Sequence, residues 1–171
     1  MDTQRGRTLI VLTALRFSEE YGAAALRAAA KRSEDVVLGL VVDRDLSEAV
    51  AGQLADVGFL GERLMQEFRE TMLQEYRTRG LAHLKELEQE ARRLGLQVET
   101  RVVDGAFRAS VFALAQQTGA TRISVARMNS AHVSRLFFGS EIEHLAKEAR
   151  IPVDVYLLTG EVAATAGGSR V

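Results

Sequence analysis

The sequence predicts a single-domain α/β protein with an open, five-stranded parallel sheet and helices on both of its faces. Short apolar, β-branched runs alternate with helical segments along the chain, which is the order of a parallel sheet with helical crossovers. The first two runs, 8–13 and 36–42, are apolar throughout rather than at every second residue. That pattern is typical of strands covered on both faces. The chain of 171 residues, 47% of them hydrophobic, is long enough for one substantial core.

The composition excludes several classes of protein. The net charge of −1 gives no general attraction to nucleic acid or to a membrane surface. The chain has no cysteine, so disulfides, thiol catalysis and cysteine metal sites are excluded. The apolar run near the N-terminus, about seven residues long, is too short for a secretory signal or a membrane span. We therefore expect a cytoplasmic protein that binds neither nucleic acid nor membranes.

The predicted elements follow in order from local signals. The five predicted strands are 8–13, 36–42, 96–103, 121–125 and 153–158. Ser18 is the expected N-cap of an alanine-rich helix that runs to about Lys31. Residues 45–61 are helical in parts, and residues 62–94 form a strongly helical segment with two apolar stripes: Met65, Phe68, Met72 and Tyr76, then Leu84, Leu87, Ala91 and Leu94. Gly80, between the stripes, is a candidate bend.

Glycine and proline set the later boundaries. Gly95 suits the residue after the long helix, and Gly119 ends a helix over 106–118. The last helix begins at Ser140 and ends before Pro152. The third strand alternates only in part and is expected at a sheet edge. We assign residues 1–158 to the folded domain and residues 159–171, which are small and polar, to a flexible tail.

The loop over residues 126–140 is the candidate binding site. It follows the fourth strand and leads into the last helix, whose first N–H groups have no partners within the helix and favour a negative charge. Gly139 permits close approach of the backbone, and Ser140 can cap the helix or contact a ligand oxygen. The candidate ligand-binding residues are Gly139, Ser140, Arg127, Asn129 and Ser130 in the loop, with Thr13 and Val42 at the ends of the first two strands.

The same loop resembles the phosphate loop of the universal stress protein family, written G-x2-G-x9-G-[S/T]. The local likeness is strongest over Ser134-Arg135-Leu136-Phe137-Phe138-Gly139-Ser140, and Ile151-Pro152-Val153-Asp154-Val155 resembles the family's Cys-Pro-Val-x-Val ending. The resemblance covers about residues 7–158. It implies a sheet with the strand order 3-2-1-4-5.

Three positions depart from the family's ATP-binding pattern. The spacing of the loop is kept, but its first two glycines are Ala126 and Asn129. The acidic residue that usually follows the first strand is missing from Thr13-Ala14-Leu15-Arg16. Alanine in a left-handed conformation costs on the order of 1 kcal/mol, whereas asparagine tolerates it better. We therefore predict a non-enzymatic regulatory or interaction protein of the stress response that uses no cofactor and does not bind ATP in the usual way.

Alternatively, the altered loop binds ATP, AMP or another phosphate ligand, and the protein is a sensor or a weak nucleotidase. Arg127, Asn129, Ser130 and Ser134 supply a positive charge and hydrogen-bonding groups for such a ligand. Other enzyme classes are weaker candidates. The chain lacks the His-x-Gly-His of nucleotidylyltransferases and the Ser-Gly-Gly-x-Asp-Ser of pyrophosphatase-loop enzymes.

A homodimer is the expected assembly, with a further protein partner that the sequence does not identify. In the family the last strand often pairs across a dimer axis. Here Val153, Val155 and Leu157 alternate with Asp154 and Tyr156, which suits an edge strand that needs a partner.

For the remaining candidate residues, a structural role competes with a functional one. His83, His132 and His144 have no metal-site spacing, and His132 and His144 are expected to face solvent. Asp43 and Asp45 follow the second strand, where a carboxylate can bind ribose or magnesium, but a helix-capping role is favoured. The stripe of Met65, Phe68, Met72 and Tyr76 is more typical of core packing than of a cofactor groove.

Overall fold

The computed structural model describes residues 5–14, 18–45, 48, 52, 61–127, 140–158 and 162–166. Its strands are β1 (Arg7–Leu12), β2 (Asp35–Val42), β3 (Val98–Asp104), β4 (Arg122–Arg127), β5 (Val153–Leu157) and β6 (Val162–Ala166). Its helices are α1 (Glu19–Lys31), α2 (Glu62–Arg93), α3 (Phe107–Thr118) and α4 (Ser140–Glu148). No helix in these ranges is both long and apolar enough to cross a membrane.

The sheet confirms the predicted strand order and adds one strand. Five parallel strands lie in the order β3-β2-β1-β4-β5, and β6 pairs antiparallel with the outer side of β5. The prediction of a flexible tail from residue 159 is therefore wrong for Val162–Ala166. The same pairing corrects the interpretation of the last strand as a free edge, because β5 has a neighbour on each side. The edges of the sheet are β3, as predicted, and β6.

The core has two layers, one on each face of the sheet. The continuous apolarity of β1 and β2 follows from this arrangement, since alternate residues of each strand enter opposite layers. One layer packs α3 and α4 against residues such as Leu9, Val37 and Ile123. The other packs α1 and α2 against residues such as Ile10 and Leu38.

The predicted ends of the helices are confirmed where they are described. Ser18 caps α1, and its hydroxyl accepts a hydrogen bond from the Tyr21 amide at 3.0 Å. Gly95 and Gly119 follow α2 and α3 with φ values of 72° and 64°. The equivalent residue after α1 is Ser33, which has a φ of 55° and is the only positive-φ residue other than glycine in the described ranges.

The long helix α2 runs through Gly80 without interruption. The candidate bend at Gly80 is therefore a packing site: a Cβ built on this residue would lie 2.6 Å from Leu40 Cδ1. The absence of a side chain lets α2 lie close to β2. In the predicted second stripe Leu84, Leu87 and Ala91 are buried and Leu94 is exposed. In the first stripe Met65 is buried and Phe68 is exposed, so the core-packing interpretation is wrong for Phe68.

A cluster of charged side chains lies at the amino-terminal end of the sheet, on the side of α1. Arg122 Nη1 lies 2.8 Å from Asp154 Oδ1, and Arg32 Nε lies 2.9 Å from Glu34 Oε2. The Thr8 hydroxyl donates a hydrogen bond to Glu34. Asp154 is 4% exposed, and a carboxylate buried to this extent needs such partners to compensate for its lost hydration. The two arginines and two acids balance one another, and we assign the cluster a structural role.

Candidate functional site

The predicted site lies at the carboxyl ends of the central strands. β2, β1 and β4 are neighbours in the sheet, and they end at Val42, Leu12 and Arg127. The topology therefore brings Val42, Thr13 and Arg127 to the carboxyl-terminal end of the sheet. A ligand crevice is expected there, at the point where the strand order reverses. Thr13 and Val42 are buried at 6% and 5% exposure, whereas Arg127 is exposed.

The two strands at this reversal point part before they end. Pairing between β1 and β4 stops at Ile10 and Ser124, although each strand continues for at least two residues. The hydroxyl of Tyr21, from α1, lies 2.9 Å from the carbonyl oxygens of Val11 and Ser124. It carries one proton, so it donates to one of these carbonyls at a time. A tyrosine hydroxyl thus lies between the two strands where their pairing has stopped.

Burial raises the pKa of Tyr21 well above its ordinary value, and the neighbouring Tyr156 and Asp154 raise it further. The two tyrosine rings are tilted by 54°, with their centroids 5.5 Å apart. This geometry is typical of a packed aromatic pair. Tyr21 is accordingly a neutral hydrogen-bond donor at physiological pH.

The fourth strand extends further into the predicted loop than the sequence indicates. The sequence pattern predicts an end at residue 125, but Ala126 pairs with Tyr156 and Arg127 pairs with Leu157. The Leu158 amide also donates to the Arg127 carbonyl at 3.1 Å. The Ala126 methyl is 3% exposed and belongs to the core layer that contains Tyr21 and Tyr156. The first altered position of the motif is therefore part of the sheet and its core.

The helix after the loop begins at Ser140, as predicted, and the side chain of Ser140 is outside the described part. Glu141 and Glu143 lie in its first turn. Their carboxylates interact with the positive end of the helix dipole and oppose the approach of a further anion. Gly139, Asn129 and Ser130 lie outside the described residues, as does His132.

The polar groups at the end of the second strand form hydrogen bonds within the protein. The Val42 carbonyl accepts a hydrogen bond from the Gly105 amide at 3.2 Å. Asp43 Oδ1 accepts one from the Asp45 amide at 3.0 Å, and residues 44 and 45 are helical. This contact supports the capping interpretation of Asp43 over a ribose or magnesium site.

The histidines that are described do not form a site. His144 is exposed, as predicted, and His83 Nδ1 lies 3.8 Å from Glu86 Oε2 one turn along the helix α2. Within the described ranges, no three histidine, cysteine, aspartate or glutamate side chains are grouped closely enough to hold a metal ion.

Sequence patterns do not reveal the role of Tyr21, nor do they reveal a cavity at the amino-terminal ends of the strands. At the amino-terminal edge, a cavity of about 360 Å³ is lined by Arg5, Arg7, Asp35, Thr118 and Thr121, with Gly119. Arg7 is held there by the Thr118 carbonyl at 2.8 Å and by Glu99 at 3.5 Å. No sequence motif points to this edge.

Comparison with known proteins identifies the family. The model of the universal stress protein family matches residues 3–156. A universal stress protein from Lactobacillus plantarum has 16% identity and a TM-score of 0.61, covering 88% of this chain and 96% of its own. A universal stress protein solved in complex with cAMP has 15% identity and a TM-score of 0.56, covering 90% and 98%.

A third solved structure, of the universal stress protein from Archaeoglobus fulgidus in complex with dAMP, has 13% identity and a TM-score of 0.50, covering 88% and 96%. At such identities the structural likenesses show the fold alone. No curated protein sequence matches the chain significantly. The family model spans nearly all of the described sheet, and the strand order is the one that the resemblance implied. The chain therefore belongs to the universal stress protein family.

Proposed function

We propose that this chain is a non-enzymatic regulatory protein of the stress response that does not hold ATP in the usual loop of its family. In this proposal it is cytoplasmic and acts through protein contacts. Its assembly is a homodimer formed through Val153, Val155 and Leu157, with a further protein partner.

The environment of Ala126 carries the proposal. A glycine at this position would leave the end of the strand without a side chain, next to the crevice between β1 and β4. Ala126 instead packs in the core layer with Tyr156, and the backbone is paired with β5 through Arg127. A loop that wraps a triphosphate needs free N–H groups, and β5 already pairs with the backbone at Ala126 and Arg127, the first position of the motif and the residue after it.

The charges at the edge of the crevice support the same conclusion. Glu141 and Glu143 occupy the first turn of α4, where a phosphate would otherwise be favoured. The residue after the first strand is Thr13 rather than a carboxylate that could anchor ribose or a metal ion. Arg127 is exposed at the edge and adds one positive charge.

A thermal-shift titration with ATP, ADP and AMP, each with and without magnesium, tests the proposal on protein freed of co-purified nucleotide. Ligand at 100 times its Kd stabilises the folded state by about 2.7 kcal/mol. We expect no shift with ATP at millimolar concentration. A saturable rise with ATP would contradict the proposal.

A gain-of-function variant provides the matched control. Ala126→Gly with Asn129→Gly restores both missing glycines of the motif. We expect this variant to be stabilised by ATP if the side chains at these two positions block the loop. Ala126→Gly alone separates the effect of the core methyl from that of the asparagine.

A second candidate function is a sensor of adenine mononucleotides. The solved relatives in complex with cAMP and dAMP hold ligands with one phosphate, which need fewer loop contacts than ATP. Stabilisation by AMP or cAMP without stabilisation by ATP would favour this candidate. Gly139→Asp should then abolish the shift and leave the unliganded protein as stable as before, since it places a carboxylate beside the ligand.

A further inference from the structure

The outer edge of β5 is occupied by a strand of the same chain. β6 pairs antiparallel with β5, with Val153 opposite Ala166, Asp154 opposite Thr165 and Val155 opposite Ala164. Over residues 153–156, the side of β5 that faces away from β4 is therefore paired within the chain. Any partner that pairs with this edge has to displace β6.

The composition and register of β6 indicate that it pairs weakly with β5. It has five residues, Val-Ala-Ala-Thr-Ala, and alanine is a poor strand former. The register shifts between Val155 and Tyr156, and such an irregularity interrupts the ladder of hydrogen bonds. No residue of β6 is ionisable, so side-chain ion pairs do not hold this strand. Its backbone pairing with β5 is of a kind that another antiparallel strand can replace.

The edge beneath β6 is suited to association. β5 is buried along most of its length, and its single charged residue, Asp154, is paired with Arg122 at 2.8 Å. The opposite edge strand, β3, carries Glu99 and Arg101, which pair with each other. Exposed charges protect a sheet edge from pairing with another chain. The edge of β5 has no such protection once β6 leaves.

A second copy of β5 fits this edge. Two copies related by a two-fold axis pair antiparallel, which is the direction in which β6 now runs. In a register centred on Val155, Asp154 of each copy lies opposite Tyr156 of the other. The two Asp154 carboxylates therefore do not face each other across the axis. Like charges directly opposite one another would destabilise the pair.

We propose that β6 is an intramolecular competitor for the β5 edge, and that a second copy of this chain displaces it when the dimer forms. This inference rests on the homodimer of the proposed function. It assigns a regulatory role to the last strand: the stability of the β5–β6 hairpin sets the concentration at which the chain dimerises.

A reversible lock tests the competition in the full chain. Because the chain has no cysteine, Val155→Cys with Ala164→Cys places one thiol pair across opposite residues of β5 and β6. Paired residues in adjacent antiparallel strands have Cα separations that a disulfide can span. Sedimentation equilibrium on the oxidised and reduced forms measures the dimer dissociation constant. We expect it to be at least about tenfold higher in the oxidised form. Ala164→Cys alone, in both redox states, controls for disulfides between chains.

Two further full-chain variants change the pairing strength of β6 without a covalent lock. Ala164→Pro with Thr165→Pro removes N–H donors of β6 and should strengthen the dimer. Ala163→Val raises the strand propensity of β6 and should weaken the dimer. A reduced lock variant that stays monomeric still supports the inference if the proline variant dimerises.

Equal dimerisation of the oxidised and reduced lock variants would overturn the inference while leaving a dimer in place. Monomers in the lock variant and the proline variant alike would overturn both the inference and the proposed dimer. The nucleotide titrations address the crevice at the carboxyl ends of the central strands and are interpreted independently of either result.

Discussion

The Tyr21 hydroxyl on α1 lies 2.9 Å from the carbonyl oxygen of Ser124 on β4. The same hydroxyl is 2.9 Å from the Val11 carbonyl on β1, beyond the last residues at which these strands pair. One helical side chain therefore satisfies a backbone group in the gap where the sheet reverses its order. Tyr21 is fully buried, so no solvent competes for this contact.

Tyr21→Phe is expected to lower the free energy of unfolding by about 1.5 kcal/mol, because it removes the one O–H donor shared by the two buried carbonyls and keeps the ring in place. Chemical denaturation with an unchanged m-value would measure this loss. Tyr76→Phe is the matched control, since Tyr76 is partly exposed on α2 and should change the midpoint little. Equal losses in the two variants would show that the buried contact is not what stabilises the fold.

The stability of the protein should fall at alkaline pH because of Tyr21. Burial raises its pKa in the folded protein above the value in the unfolded chain. The contribution of the neutral phenol is fully present below the unfolded pKa, near pH 10, and is lost as pH rises through the folded pKa. We expect a slope approaching about 1.4 kcal/mol per pH unit above pH 10, from urea denaturation at each pH. Tyr21→Phe should flatten that slope, and an unchanged slope would count against the assignment.

Local signals predicted the elements whose ends are fixed by their own residues. Ser18, Gly95 and Gly119 end or begin helices through contacts within a few residues, and the sequence shows them directly. The layered core followed from the continuous apolarity of β1 and β2. The predicted site residues Thr13, Val42 and Arg127 share one edge because the strand order places them there.

Features that depend on distant residues were missed. β4 continues through Ala126 because β5 offers pairing partners up to Leu157, and no local signal marks that end. β6 is too rich in alanine to be recognised as a strand and forms only on β5. The charged cluster joins residues of β1, β4 and β5 with the turn after α1, so its pairs are invisible in the sequence.

Ser33→Gly is expected to stabilise the protein by about 0.5–1 kcal/mol. Ser33 follows α1 with a φ of 55°, a conformation that glycine adopts without the steric cost of a side chain. The amides of Ser33 and Glu34 donate to the carbonyls of Ala30 and Ala29, so the turn is a fixed helix ending. Gly95→Ser is the reverse control, because Gly95 follows α2 with a φ of 72° and a Cβ built on it would meet no atom within 4 Å. Thermal unfolding should shift the two variants in opposite directions.

Asp154→Ala is expected to destabilise the protein by about 3 kcal/mol, because it removes the buried partner of Arg122 and leaves that guanidinium poorly compensated. Arg122→Met with Asp154→Ala should recover part of the loss, since an apolar side chain does not require a charged partner. Denaturation of the single and double variants forms a cycle that measures the coupling. Strictly additive effects would show that the ion pair contributes nothing to the fold.

Gly22→Ala is expected to destabilise the contact between α1 and α2 by about 1–2 kcal/mol. A Cβ at this position would lie 2.5 Å from Leu87 Cδ2, and Leu87 is 5% exposed with little room to move. The gain in helix propensity from glycine to alanine, about 1 kcal/mol, opposes this strain and sets the lower end of the range. Leu87→Val beside Gly22→Ala should relieve the overlap, so the double variant should be more stable than the sum of the single losses predicts. A stabilised Gly22→Ala variant would show instead that Leu87 adopts another rotamer at low cost, and that the close approach of the two helices does not require a glycine.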